Sequence, residues 1–271
     1  MAETGLGLAP ADRACLQRMQ IRAVIHSAAA VDHARPYGAL RAMNVAAADA
    51  LVALLTPRGV DGREAECSST QASPQRPPPL FVLVSTMSVV PTATSALDAG
   101  WTGAAESLVP PACAVALESG YAQSKLVAEH HLAAAAAAGY IRLTIARLGL
   151  LGVAVSENDT VGDAADRRDW LSLLLYAVEE TGASPAGLCA GERKVAVLPA
   201  DMAAAALAAE ATQRTPEATA SLRVVNLDAT AFGLPARPLA ALLGDVDAAR
   251  AARGVAPLRR ELPYPAWRRL V

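Results

Sequence analysis

Two apolar, β-rich runs bracket a stretch of good helix formers, and that order leaves few folds open. The first run, Leu80-Phe81-Val82-Leu83-Val84-Ser85-Thr86-Met87-Ser88-Val89, ends in hydroxyls. The second, Tyr140-Ile141-Arg142-Leu143-Thr144-Ile145-Ala146-Arg147-Leu148-Gly149-Leu150-Leu151-Gly152, ends in glycines. Between them stand Gly120-Tyr121-Ala122-Gln123-Ser124-Lys125-Leu126-Val127-Ala128-Glu129 and an alanine tract that favours helix. Short strands without alternation, joined through a helix, point to a parallel α/β sheet whose strands are buried on both faces. Ligands of such sheets lie beyond the carboxyl ends of the strands. Ser85, Thr86 and Ser88 therefore stand where a carbonyl-binding hydroxyl belongs.

Tyr121 and Lys125 are four residues apart, so a helix places them on one face, one turn apart. A free tyrosine ionises near pH ~10 and is a poor proton donor or acceptor at neutrality. A lysine ammonium close by favours the phenolate, and the pair can then exchange a proton with a carbonyl oxygen. Y-x-x-x-K alone is a weak motif; the flanking strands give it weight.

With 53% hydrophobic residues among 271, the chain can bury a core, and its net charge of −2 with few aromatics argues against a nucleic-acid surface. Cys15, Cys67, Cys113 and Cys189 are widely spaced, with no C-x-x-C pair, which fits free thiols in a reducing compartment and no metal site. There is no signal-peptide pattern, and no run approaches the ~18 consecutive apolar residues of a membrane span. The expectation is a soluble, cytoplasmic protein with no membrane partner.

Along the chain, residues 1–20 read as a loop and a short helix starting near Ala11-Asp12. Residues 23–29 read as a buried strand opening into a loop of small residues, and residues 40–55 as a helix with Asn44 inside it. The stretch 56–79, rich in Pro and Ser, reads as a disordered insertion. Residues 91–118 are loop-like, and the Tyr121 helix runs to about Ala138, closed by Gly139. Further on, a helix opens at Asp169-Trp170 and ends at Ala183-Ser184-Pro185. A strand covers 194–198, Asp201 caps a helix over 202–211, and a last strand covers 222–226.

Strand, Ser/Thr, Y-x-x-x-K helix and strand in that order resemble the extended short-chain dehydrogenase/reductase family. More narrowly they resemble the thioester reductase domains that end some carrier-protein-dependent synthetases. The stretches Val24-Ile25-His26-Ser27-Ala28-Ala29-Ala30-Val31-Asp32-His33, Leu40-Arg41-Ala42-Met43-Asn44-Val45 and Val84-Ser85-Thr86-Met87-Ser88-Val89 carry the narrower likeness. The resemblance implies NADPH as cofactor and an acyl or peptidyl carrier protein, with its phosphopantetheine-linked acyl thioester, as partner. It makes Thr86, Tyr121 and Lys125 the catalytic residues, Lys125 binding the ribose and holding the Tyr121 pKa down. It places Ser27, Ala28, Ala29, Asn44, Ser85, Leu148 and Gly149, with Tyr121 and Lys125, around the cofactor.

One part of the pattern is missing. No G-x-x-G-x-x-G turn presents backbone N–H groups to a pyrophosphate. The resemblance thus implies an incomplete NAD(P)-binding Rossmann-like parallel sheet, first strands absent, over residues 1–150, with a small substrate lobe over 151–271 that sends elements back to the sheet. Three functional readings stay open: a fragment of an NADPH-dependent thioester reductase, an inactive interaction remnant of that family, and a sugar-nucleotide epimerase or dehydratase relative.

Overall fold

The computed structural model describes residues 4–56, 77–91, 106–152, 170–188, 194–213 and 221–270. The chain divides into two compact units. One is formed by residues 1–148 with 204–227, the other by 149–203 with 228–271.

The first unit is built on four parallel strands: β1 (Ala23–His26), β2 (Leu80–Thr86), β3 (Arg142–Leu148) and β8 (Leu222–Leu227), adjacent in that order. Strands alternate faces, so Phe81, Leu83, Leu143, Ile145 and Val224 point the same way. They pack on helix α2 (Tyr37–Leu55) through Ala48 and on helix α3 (Gly120–Ala137) through Leu132 and Ala136. The opposite face, with Leu80, Val82, Ala146 and Val225, packs on Leu207 of α5 (Ala200–Gln213). β2 and β3 are buried as their apolar sequence predicts. β1 differs from expectation: it is shorter than 23–29, it is an edge strand among the described residues, and Ile25 is 42% exposed.

α1 (Pro10–Arg18) is the expected N-terminal helix. α2 begins three residues earlier than its apolar pattern and contains a π-turn over Ala42–Ala46. It is long and apolar enough to cross a membrane, a feature the residue-by-residue reading missed because Asn44 and Asp49 interrupt the run. In the fold it is a core helix, with Leu40, Val45, Ala48 and Leu54 buried. α3 has Ser119 as N-cap, its Oγ accepting from Ala122 N–H at 3.2 Å, and ends at a left-handed Gly139. Its first residue must be glycine: a Cβ on Gly120 would lie 2.4 Å from the Arg35 carbonyl and the Tyr37 amide. The 56–79 insertion lies almost wholly outside the described residues, as do residues 92–105 of the expected loop.

The second unit holds β4 (Leu150–Gly152) paired with β7 (Val197–Pro199), β5 (Ala183–Pro185) with β10 (Arg259–Leu262), and β6 (Lys194–Val195) with β9 (Arg237–Pro238). α4 (Trp170–Thr181) packs with α6 (Leu239–Ala252), and Val178, Ala183, Leu243 and Trp267 form its core. The Trp267 indole N–H donates to the Ala183 carbonyl at 2.9 Å, from the short helix α7 (Tyr264–Trp267). Three expectations are corrected here. Ala183-Ser184-Pro185 is a strand rather than a helix end, because Gly182 with φ +65° turns the chain first. The 194–198 strand is two strands with different partners. Asp201 lies inside the first turn of α5, which starts at Ala200.

Candidate active site

The site gathers at the carboxyl ends of β1, β2 and β3. α3 brings Tyr121 and Lys125 there, both buried, at 8% and 2% exposure. Neither the Tyr121 hydroxyl nor the Lys125 ammonium has a hydrogen-bond partner among the described residues. The Tyr121 ring meets the His33 ring edge-on, centroids 5.3 Å apart.

The electrostatics differ from the expected pair. Burial pushes the Tyr121 phenol up from its ordinary value, and Lys125 does not reverse this. Burial also brings the Lys125 ammonium down to about 8, with the Glu129 carboxylate pulling the other way. Desolvation disfavours the charged form of each group, so the unliganded site holds a neutral tyrosine. It can donate a proton; it is not a standing phenolate.

Each remaining predicted residue has a definite place. Thr86 caps the turn Met87–Val89: its Oγ1 accepts from Ser88 N–H and bonds the Ser88 hydroxyl, both at 3.2 Å. Ser88 in turn lines a pocket of about 410 Å3 with His33, Val90, Glu118, Ser119 and Ala122, beside Tyr121. Ser85 is not open to a ligand, because its hydroxyl donates to Glu129 Oε1 at 2.6 Å. Asn44 is likewise engaged: Oδ1 accepts from Ala30 N–H (2.7 Å), while Nδ2 donates to the Ala30 carbonyl (3.0 Å) and to Ser124 Oγ (2.9 Å). It clamps the loop that carries Ser27, Ala28 and Ala29 after β1, rather than presenting its own amide. Leu148 ends β3 in the first unit and Gly149 opens the second. A larger groove of about 470 Å3, lined by Leu16, Ile21, Leu54 and Tyr140, lies at the opposite end of the strands, where ligands of such sheets do not bind.

Two groups escaped the sequence reading. His26, the last residue of β1, is buried with its Nε2 without a hydrogen-bond partner among the described residues, and burial first, then Lys125, brings its pKa down to about 4. Glu129 and Arg147 form a fully buried ion pair behind Lys125, Arg147 Nε to Oε1 at 3.1 Å and Nη2 to Oε2 at 2.7 Å. The signal was present: an arginine inside a strand buried on both faces needs a buried partner.

Strand ends, a Y-x-x-x-K helix packed across them and a loop of small residues after β1 define a dinucleotide-type α/β domain. Residues 1–207 match the model of the NAD-binding male sterility protein family, and the chain belongs to that family. The fold is similar to the terminal R domain of the myxalamid PKS-NRPS pathway (TM-score 0.65, 22% identity, 98% of this chain and 56% of that one). It is also similar to a thiolation-reductase di-domain from an archaeal non-ribosomal peptide synthetase (0.63, 19%, 96% and 47%). A UDP-glucuronic acid 4-epimerase from Bacillus cereus in complex with NAD is similar at 0.58 and 14%, over 97% of this chain and 68% of that one. The chain thus spans about half the length of the two reductase structures. No curated protein sequence matches it.

Proposed function

We propose that this chain is the carbonyl-handling part of an NADPH-dependent reductase that converts a carrier-bound acyl thioester to an aldehyde. The observation that carries the reading is the buried pair Tyr121 and Lys125, their polar atoms without a hydrogen-bond partner among the described residues, beside the 410 Å3 pocket that holds His33 and Ser88. When bound, NADPH would supply the hydride for the carbonyl carbon, and the resulting hemithioacetal would then break its C–S bond, releasing the carrier's phosphopantetheine thiol and leaving the aldehyde. The neutral Tyr121 hydroxyl is suited to protonate the oxygen that gains charge, and Thr86, once its hydroxyl turns from the exposed Ser88 Oγ, is suited to donate a second hydrogen bond. Lys125 is suited to bind a ribose hydroxyl, and the Asn44-clamped loop lets a cofactor approach the backbone of residues 27–30.

The residues fit the nicotinamide-ribose end of such a cofactor. For the pyrophosphate end, no strand followed by a Gly-rich turn and a helix N-terminus is found among the described residues of the first unit, so no cradle of backbone donors is described for it. Binding of NADPH to this chain should therefore be weak. The likeness to the two reductase domains favours a carrier protein as partner over a sugar nucleotide, whose enzymes are the weaker matches among the three.

The test incubates the chain with an acylated carrier protein at high NADPH and traps aldehyde as its oxime for mass spectrometry, while calorimetry follows NADPH. Aldehyde that falls about 10²–10⁴-fold in Tyr121→Phe, with weak NADPH binding unchanged, is the expected result. Equal turnover in Tyr121→Phe refutes the proton-donor role, and tight NADPH binding refutes the account of the phosphate end.

A further inference from the structure

Behind Lys125 lies an ionic group that the proposed reaction does not use. Glu129 and Arg147 are both 0% exposed, and Ser85 is 3% exposed. The Glu129 carboxylate receives three hydrogen bonds: two from Arg147 on β3 and one from Ser85 on β2. Burying two such charges costs several kcal/mol per ion before their attraction is counted, so a pair of this kind is weak evidence for stability. Its placement is informative instead. Glu129 follows Lys125 by one helical turn on the same face of α3. Its anchors are the last-but-one residues of β2 and β3, and Ser85 directly precedes Thr86.

We infer that Glu129, held by Arg147 and Ser85, is a positioning residue for Lys125: it seats that turn of α3 on the strand ends and keeps the lysine in its ammonium form. The inference rests on the proposed function only for what the ammonium is used for. Among the described residues, the titratable groups around this turn are His26 from β1, Tyr121 and Glu129 from the lysine's own helix, and Arg147 from β3, with the exposed His33 against the Tyr121 ring. The others on elements packed against α3 are engaged elsewhere or exposed. Asp49 meets His131, His130 meets the Val109 carbonyl, Arg142 bonds the Pro78 carbonyl and Arg223 pairs with Glu210. Arg41 is exposed, Tyr37 is partly so, and Cys113 sits in an apolar cluster with Val89 and Leu126. His26 is neutral near neutrality, so Glu129 is the one anion in the set.

The chain has two lysines, Lys125 and the exposed Lys194, which makes a direct titration possible. The full chain, labelled with ¹³C-lysine, is followed by NMR through the ε-carbon shifts as pH rises, with Lys194 as internal reference. Lys125 should titrate near 8 in the parent chain. In Glu129→Gln, which keeps the shape and loses the charge, the Lys125 midpoint should fall by about one unit or more while Lys194 does not move. An unchanged Lys125 midpoint in a folded Glu129→Gln chain overturns the inference. Should that variant not fold, Glu129→Gln combined with Arg147→Met removes both charges and leaves neither unpaired. A smaller fall is expected there, because the Arg147 cation that repels the ammonium goes with the carboxylate that attracts it, and an unmoved midpoint is again fatal. Absence of aldehyde in the parent chain would sink the proposed function and leave these titrations standing.

Discussion

Replacing Asn44 by alanine tests how the cofactor-side loop is held. Asn44 is 1% exposed and makes three hydrogen bonds, two to the backbone of Ala30 and one to Ser124. Ser124 keeps its own bond to the Tyr121 carbonyl at 2.7 Å, so the loss falls mainly on Ala30. At about 1 kcal/mol per bond, with a partly buried N–H and C=O left unmet, the substitution should cost about 3 kcal/mol. With a urea slope of about 1–3 kcal/mol per molar, the midpoint should drop by about 1–3 M. Hydrogen exchange at the Ala30 amide localises the effect: if protection there comes from the clamp, it should fall by about 10²-fold. Asn44→Asp separates clamping from polarity, since a carboxylate still accepts from Ala30 N–H but faces its carbonyl with a second oxygen. It should recover little of the loss. A midpoint unchanged in Asn44→Ala, with the Ala30 amide still protected, would refute the clamp and return Asn44 to the cofactor contact expected from the sequence.

Two further outcomes follow from groups at the same end of the sheet. Because the folded His26 pKa is about 4 against 6.5, the unfolded chain binds the extra proton first as pH falls. Stability from this residue is therefore present above about 6.5, falls through the interval down to about 4, and amounts to roughly 3 kcal/mol at most. Urea midpoints across that window should fall less in His26→Met than in the parent chain, and identical pH dependence would refute the assignment. Gly120→Ala should destabilise by at least about 1–3 kcal/mol, since the new methyl would meet backbone 2.4 Å away and not a side chain that can yield; an unchanged melting temperature would refute that close approach.

The strands and the Y-x-x-x-K helix were legible because apolar runs and helix formers are local signals. β2, β3 and α3 lie within a few residues of where the sequence places them. Partnership was not legible. Asn44 was recognised as out of place in a helix, yet its partner Ala30 is set by how α2 lies against the loop. Ser85 was read as a ligand group because its partner Glu129 is 44 residues away. The balance of charge on Tyr121 and Lys125 also depends on burial, which spacing alone does not reveal: proximity predicts a lowered tyrosine, and desolvation prevails. His26 was visible in its motif, but its neutrality comes from the layer around it.

The division of the chain into interleaved halves bears on the order of its synthesis. β8 closes the first sheet against β3, but residues 149–203 of the second unit are translated between them. The second unit waits in the same way, since β5 finds its partner β10 only near the C-terminus. Neither half can finish as it leaves the ribosome, and parallel pairings that span so much chain form slowly. During that interval β3 offers its unpaired edge to any other nascent strand, which is a route to misassembly. A chain stopped at residue 203 would keep Tyr121, Lys125 and Glu129 and still lack β8, the strand that pairs with β3.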